Sequence, residues 1–347
     1  MDQVRVGVIG VGVMGQRHCR VYSGLRQVQL TGVCDARPEN GRRVAQQYNA
    51  PYFDRVEDIL AEVDAVSLVT PTPMHFDLAM QCLAQGKHVL VEKPITETLE
   101  QAQKLTEAAE MSDLIVQIGH IERFNPVFME LKHVLEDVTM LAVNFRRLSA
   151  YEGSNTDVDV VLDLMIHDLD LVLDLIGQMP VSVEAQGLTA LSGSIDHATA
   201  QLRFASGPLL EITASRVTEQ KVRSIEVTAL EAYLQGDLLN KSINVHRRTI
   251  GEYMNHNQRG VKYRQESIVE RIHVPMAEPL LLELQHFIDC IRENKQPLVT
   301  ARHGRNALEL AVTIQQAIYD NIVNFNLISE DAIQRGVAEP SLALSPS

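Results

Sequence analysis

Glu92, Lys93 and Pro94 close the apolar run that starts at His88, and a new helical pattern opens after Thr98. An apolar strand ending in Glu-Lys-Pro sets an ammonium at the carboxyl edge of a sheet, where open α/β sheets bind their ligands. Pro94 pushes the residue before it out of the α region, so Lys93 is expected in extended backbone with its side-chain direction partly set by the chain. A second chemical pair, Asp163 and His167, is spaced i, i+4 in the helical run 160–176 and is expected to share a face among Leu164, Met165 and Ile166. A carboxylate one turn from an imidazole can orient it and hold its charge, as a general base near neutral pH requires. Each feature also has a plainer reading: a solvated lysine in a loop, or a core histidine. Zinc at His167 with Asp163, Asp168 and Asp170 is disfavoured, because no second His or Cys stands at ligand spacing.

The elements that must position these groups begin at residues 4–9, a strand pattern apolar on both faces. It runs into Gly10, Val11, Gly12, Val13, Met14 and Gly15 and then a helical pattern. This is the dinucleotide fingerprint in its required context: glycines for the tight turn, for approach of a pyrophosphate and for helix packing, with free N–H groups to meet the phosphate charge. The second strand, 28–34, ends at Asp35, about twenty positions past Gly15, where a carboxylate accepts ribose hydroxyls and favours NAD. Arg37 two residues on keeps NADP open. Strands and helices go on alternating, which means parallel β-α-β units. The loop Thr70, Pro71, Thr72, Pro73 is too proline-rich for sheet or helix, and His75 follows just inside the next helix; the alternative for His75 is a polar first-turn residue. In a dinucleotide fold such a loop passes beside the nicotinamide.

The strand pattern 114–118 leads into a dense polar cluster, Gly119 to Pro126. Arg123 is its best anchor for an anionic or polyhydroxyl ligand, because a planar guanidinium binds oxygens bidentately; the alternative is a salt-bridged loop. Asn125, and Arg147 at the end of the strand pattern 140–148, are further candidates for substrate contact. From about residue 181 to 272, short alternating runs separated by turn signals predict an open, largely antiparallel sheet. One face must cover the helix with Asp163, and the other is expected to expose apolar area unless a second subunit covers it, which implies a homodimer or homotetramer through this sheet. Arg216, Lys221 and Arg223 add positive charge that could meet a diphosphate, although a solvated strand edge explains them as well. Two helical patterns, 278–292 and 301–322, follow.

At 347 residues the chain exceeds the size of one growing core, so two domains are expected: 1–122 for a dinucleotide and 123–324 for substrate and assembly, with 325–347 an extension. The fold class is α/β, an N-terminal doubly wound parallel sheet of Rossmann type and a C-terminal α+β domain. The net charge of −14 argues against nucleic acid or an acidic membrane surface, and no apolar run spans a bilayer. The start lacks the basic and small-residue features of a signal peptide. Cys19, Cys34, Cys82 and Cys290 show no paired spacing and read as buried thiols of a reducing compartment, so a cytoplasmic location is expected.

The glycine loop, Asp35, Thr-Pro-Thr-Pro with His75, Glu92-Lys93-Pro94, the Asp163-x-x-x-His167 helix and the closing pattern Glu283, Leu284, Phe287, Pro297 and Gly304 together resemble the Gfo/Idh/MocA family of NAD(P)-dependent oxidoreductases, over nearly the whole chain. The resemblance implies that Lys93, Asp163 and His167 are catalytic, with Asp163 orienting either His167 or Lys93, and that Glu92 and Lys93 border the cofactor. Gly119 to Pro126 resembles the branch acting on nucleotide-linked sugars, notably UDP-N-acetylglucosamine. The implied reaction is therefore oxidation of a UDP-N-acetylhexosamine at C3 by NAD. Its rivals are a free sugar or inositol as substrate, or a non-catalytic nucleotide-binding regulator. Many members carry glycine immediately before the histidine; Ile166 stands there here and implies a bulkier pocket wall.

Overall fold

The computed structural model describes residues 3–151, 158–254, 261–320 and 323–324. The N-terminal layer runs β1 (Val4–Ile9), α1 (Val13–Gly24), β2 (Val28–Cys34), α2 (Pro38–Gln47), β3 (Tyr52–Phe53), α3 (Val56–Glu62), β4 (Ala65–Leu68), α4 (His75–Ala84), β5 (His88–Glu92), α5 (Leu99–Glu110) and β6 (Val116–Gly119). Its strands form one parallel sheet in the order β3-β2-β1-β4-β5-β6. The order reverses direction between β1 and β4, which opens a crevice at their carboxyl ends. Pairing of Ile9 with Leu68, Leu68 with Val91 and Glu92 with Gly119 brings Gly10, Thr70, Lys93 and His120 to one edge.

The strands are buried on both faces, as apolar runs such as Val89, Leu90 and Val91 require. Burial of each such side chain contributes roughly 1.5–3 kcal/mol. Thr98 and Gln101 close a reciprocal capping box at the start of α5, so the helix begins where the pattern after Thr98 placed it. β6 starts two residues later than the pattern 114–118, since Leu114 and Ile115 still belong to the loop from α5.

After a single 3-10 turn (Ile121–Phe124), α6 (Pro126–Leu135) leads to β7 (Met140–Leu148). A π-helical turn (Val161–Met165) then opens into α7 (Ile166–Ile176). β8 (Ser182–Thr189), β9 (His197–Arg203), β10 (Leu209–Ser215), β11 (Val222–Ala229), β12 (Tyr233–Asp237), β13 (Ser242–Met254) and β14 (Val261–Ile272) precede α8 (Pro279–Glu293), α9 (Ala301–Tyr319) and β15 (Val323–Asn324). The second sheet has the order β14-β13-β12-β11-β7-β10-β9-β8-β15 and is antiparallel except at β7–β10 and β8–β15. Its inner face packs Phe145, Ile212 and Ile225 with residues of α7 and α9.

The outer face of this sheet is polar, not apolar as the alternation suggested. Register places Glu184, Gln201, Glu211, Asn144, Glu226, Gln235 and Asn244 side by side in one row from β8 to β13. A row of acids, amides and asparagines is solvated at little cost, so exposed apolar area supplies no argument for assembly through that face.

The last helices cross back. Leu284, Phe287 and Ile288 of α8 complete the core on one side of the parallel sheet, and Leu308 of α9 joins the core on its other side. Gly304 lets α9 lie close on that sheet: a Cβ there would sit 3.0 Å from Ile118. The second sheet is thereby held against the edge where Lys93 emerges.

Candidate active site

The glycine loop makes a cradle in which each glycine has its own reason. Gly10 adopts φ +85°, and a Cβ would come within 2.5 Å of the Val69 carbonyl oxygen. A Cβ on Gly15 would meet the Gly10 carbonyl oxygen at 2.0 Å, so the helix lies too close to the strand for any side chain. Gly12 is the opposite case. Nothing lies within 4 Å of where its Cβ would be, and as N-cap of α1 it leaves the first turn without a side-chain cap. Open space beside uncapped helical N–H groups fits the pyrophosphate of a dinucleotide.

Asp35 is buried at the end of β2. Its carboxylate accepts from Val11 N at 2.9 Å, Arg37 N at 2.8 Å and Asn40 Nδ2 at 3.1 Å. A carboxylate has about four acceptor positions, so one is left for a ribose hydroxyl. Asn40 also donates to the Val11 carbonyl at 3.0 Å, clamping the glycine loop; sequence reading missed it, although an Asn five residues past the acid was visible. The Arg37 side chain is mostly exposed, 3.8 Å from Asp35. Thr70 supplies an enclosed hydroxyl with no protein partner at the end of β4, an orphan of the kind a bound ligand satisfies. The residues present therefore fit a dinucleotide, with Gly10 to Gly15, Asp35 and Thr70 to hold it. Pro71 and Thr72 continue that rim, exposed and half-buried.

His75 does not face this space. It is buried, with Nδ1 2.9 Å from the Pro94 carbonyl and Nε2 2.8 Å from the Thr70 carbonyl, so it is a strut between two loops and not a cofactor contact. Glu92 is likewise a brace. One oxygen meets His18 Nε2 of α1 at 3.1 Å, and the other accepts from Lys93 N at 3.2 Å. Burial opposes its charge, but His18 and Lys93 win and hold its carboxyl below the ordinary range. Glu283 on α8 lies nearby without a partner for either oxygen; burial, then the charges of Glu92, Asp170 and Glu122, push it well above that range and favour its neutral form.

Lys93 and Pro94 are joined by a cis peptide bond. The Lys93 ammonium donates to the Asp163 main-chain carbonyl at 2.7 Å and lies 3.3 Å from its carboxylate. The i, i+4 spacing of Asp163 and His167 suggested a contact between those two; the structure has none. The π turn explains this, since its i to i+5 bonding displaces Asp163 relative to an α-helical face. Asp159 accepts from Val161 N and Leu162 N and caps the turn. His167 is half-buried, with Nδ1 enclosed and without a protein partner. Burial, then the charges of Lys93 and Arg147, lower its pKa well below the usual histidine value, so the ring is neutral.

The proposed substrate anchors are a correction. Arg123 is 2% exposed and spends its donors on Asp170, at 2.6 and 2.8 Å, and on Asp174. Arg147, also buried, binds Asp168 at 3.0 and 2.6 Å and Glu122 at 2.9 Å. Asn125 is the N-cap of α6, accepting from Val127 N and donating to Glu122. Arg216 pairs with Asp196. Arg123 and Arg147 pin α7 and the first turn after β6 together, and Arg216 holds Asp196 in the loop before β9; all three are buried with their charge paired, which disfavours them as ligand anchors. Asp168, Asp170 and Asp174 in an otherwise apolar helix were the available signal that buried cations would meet them. Arg223 differs, with a third of its side chain exposed beside Glu122.

Residues 4–120 match the family model described as the oxidoreductase family, NAD-binding Rossmann fold, and residues 131–321 match its C-terminal alpha/beta domain. The chain is 33% identical over 318 residues to UDP-N-acetylglucosamine 3-dehydrogenase of Acidithiobacillus ferrooxidans, covering 92% of this chain and 98% of that one. A solved structure of that enzyme superposes with a TM-score of 0.82 at 32% identity, over 92% of this chain and 99% of the other. The scyllo-inositol 2-dehydrogenase (NAD(+)) of Bacillus subtilis is 25% identical over 89% of this chain and 92% of its own. With both halves matched in order and the glycine cradle intact, the chain belongs to the Gfo/Idh/MocA oxidoreductase family and is an NAD-binding enzyme.

Proposed function

We propose that the protein oxidises a secondary hydroxyl of a UDP-N-acetylhexosamine, at C3, with NAD. The observation that carries this is the meeting of Lys93, from the cofactor half, with Asp163, on the same helical segment as His167. The similarity to UDP-N-acetylglucosamine 3-dehydrogenase supports the substrate class. Bound NAD supplies the hydride acceptor. His167, neutral and with its second ring nitrogen not enclosed, takes the hydroxyl proton. Lys93 donates to the same oxygen as negative charge develops on it. Asp163 aims Lys93, not His167. Gly10 to Gly15, Val11 and Asp35 hold the adenosine diphosphate end, while His75 and Glu92 brace the loops that border the nicotinamide end.

A free polyol is the second reading. Arg123, Arg147 and Arg216 are consumed in buried ion pairs, which weakens three candidate substrate anchors and leaves Lys221, Arg223 and Lys93. A panel of UDP-N-acetylglucosamine, UDP-N-acetylgalactosamine, free N-acetylglucosamine, glucose, and myo- and scyllo-inositol, followed by NADH absorbance, separates the two. Activity confined to the nucleotide sugars supports the first; turnover of inositol alone supports the second; reduction of NAD by none of them overturns both.

The same reading divides the chain at residue 122, between its matched segments, with 123–324 as the substrate-binding part and 325–347 as an extension outside the described residues. It is a cytoplasmic enzyme, consistent with four free buried thiols. It assembles as a homodimer or homotetramer through the second sheet. Among the described residues no helix is long and apolar enough to cross a membrane.

A further inference from the structure

His18 is fully enclosed in the second turn of α1, the helix that the glycine loop opens. Its Nδ1 has no partner and its Nε2 lies 3.1 Å from Glu92 Oε1, so that contact is the one hydrogen bond the ring makes among the described residues. Enclosing an imidazole with one nitrogen unsatisfied opposes folding, and an apolar side chain in that place would not incur it. Whatever the ring does, it does through Glu92. Tyr22, one turn on, packs edge to face against the ring with centroids 6.3 Å apart, and its hydroxyl lies 2.8 Å from Ser67 Oγ of β4. The imidazole is therefore held from behind as well as from Glu92.

Glu92 has little freedom of its own. Gly119 stands opposite it in the register of β5 and β6, and a Cβ there would lie 3.0 Å from Glu92 Cδ, so the carboxyl group fills the space a side chain at 119 would take. Its two oxygens have different partners: Oε1 meets His18, and Oε2 accepts from Lys93 N at 3.2 Å. An ionised carboxylate only accepts, so the proton between His18 and Glu92 belongs to Nε2. Burial opposes the charge of Glu92, and the hydrogen bond from His18 is the largest effect that restores it. Lys93 then carries the line forward, its ammonium donating to the Asp163 carbonyl at 2.7 Å. A continuous set of contacts thus runs from α1 through the end of β5 to the ammonium and the π turn.

We propose that His18 is a positioning residue for Lys93: by donating to Glu92 it fixes the carboxylate that holds the Lys93 main chain, and so sets where the ammonium stands at the substrate oxygen. Enclosed behind Glu92, it acts without touching substrate. The inference rests on the reading of Lys93 as the group that donates to that oxygen. Because the first turn of α1 also faces the pyrophosphate, one helix sets both the cofactor cradle and the catalytic ammonium. A catalytic group misplaced by about 1 Å can lose about 10²-fold in rate, so the effect of His18 belongs in kcat and not in ground-state binding.

The test combines steady-state kinetics of the full chain, NADH titration by fluorescence and hydrogen exchange at the Lys93 amide by NMR. His18→Leu is expected to lower kcat about ten-fold or more, while the sugar KM and the NADH Kd stay within about two-fold. His18→Gln sets an amide donor where Nε2 stands and is expected to retain kcat within about three-fold; His18→Asn, one carbon shorter, is expected to fall with the leucine variant. A merely structural histidine would lower Tm in all three without this split. Added to Glu92→Ala, His18→Leu should cost no further activity, since both act along one line of contacts. Where the leucine variant does not fold, glutamine against asparagine makes the same comparison. A kcat within about two-fold of wild type in His18→Leu, equal losses in the glutamine and asparagine variants, or additive losses with Glu92→Ala, overturns the proposal. Failure of the proposed reaction reads differently. No substrate in the panel would then reduce NAD, while exchange at the Lys93 amide still decides whether His18 holds that main chain: slow in wild type and His18→Gln and faster in His18→Leu if it does, equal in all three if it does not.

Discussion

Lys93 Nζ lies 2.7 Å from the main-chain carbonyl of Asp163 and 3.3 Å from its carboxylate, so the shorter bond is to a group that no side-chain substitution removes. Two variants should then differ sharply. Lys93→Ala removes the ammonium and is expected to lower kcat by about 10²-fold or more with NADH affinity intact. Asp163→Asn keeps the carbonyl bond and is expected to cost only about ten-fold. Equal losses in the two, from initial rates with the accepted substrate, would contradict this division of roles.

Asp35 carries a prediction about the cofactor. Its remaining acceptor position is open to a ribose hydroxyl, and its charge would repel a 2′-phosphate. Hydrogen bonds to charged groups contribute about 1.5–3 kcal/mol, so Asp35→Ala should weaken NADH by about 10- to 100-fold in a fluorescence titration. Affinity for NADPH should rise in the same variant as the repulsion disappears and Arg37 remains.

Arg123 and Asp170 predict stability, not substrate affinity. Removing one partner of a buried ion pair leaves the other charge uncompensated, at about 3–5 kcal/mol. Arg123→Met is expected to lower the urea midpoint by a corresponding amount, and Arg123→Met with Asp170→Leu to recover most of it. A large rise in KM without loss of stability would return Arg123 to the list of ligand anchors.

Two buried groups set the pH window. His167 has a folded pKa below its ordinary 6.5. The stability linked to it is present above that value and lost as pH falls through it toward the folded pKa. Glu283 has a folded pKa above its ordinary 4.5. Its contribution is full below 4.5 and declines as pH rises toward the folded value, by up to about 1.4 kcal/mol per pH unit. Glu283→Gln, permanently neutral, should flatten the alkaline side of a Tm-against-pH series and leave the acid side to His167. An unchanged alkaline slope would mean that Glu283 is ionised in the folded protein.

The sequence by itself determined the parallel sheet, the glycine cradle, Asp35 and the placing of Lys93 at a strand end. Each of these depends on a few adjacent residues: apolar runs buried on both faces, glycines in a fixed spacing after a strand, and a charged Glu-Lys-Pro closing an apolar run. Asp163 and His167 were also legible as candidates, from polar residues one turn apart in an apolar helix. What the sequence could not settle was partnership. Asp163 turns to Lys93, seventy positions away in the chain, because a π turn shifts it off the face of His167. Arg123, Arg147 and Asn125 looked like ligand anchors because a side chain's chemistry is local, whereas the supply of buried acids that neutralises it comes from another element folded against it. Only the tertiary structure brings Asp168, Asp170 and Glu122 to those arginines, and only it buries His120 with no hydrogen-bond partner at either nitrogen. Burial in a shared, low-dielectric space decides which charges pair and which stay available, and spacing along the chain does not encode that space.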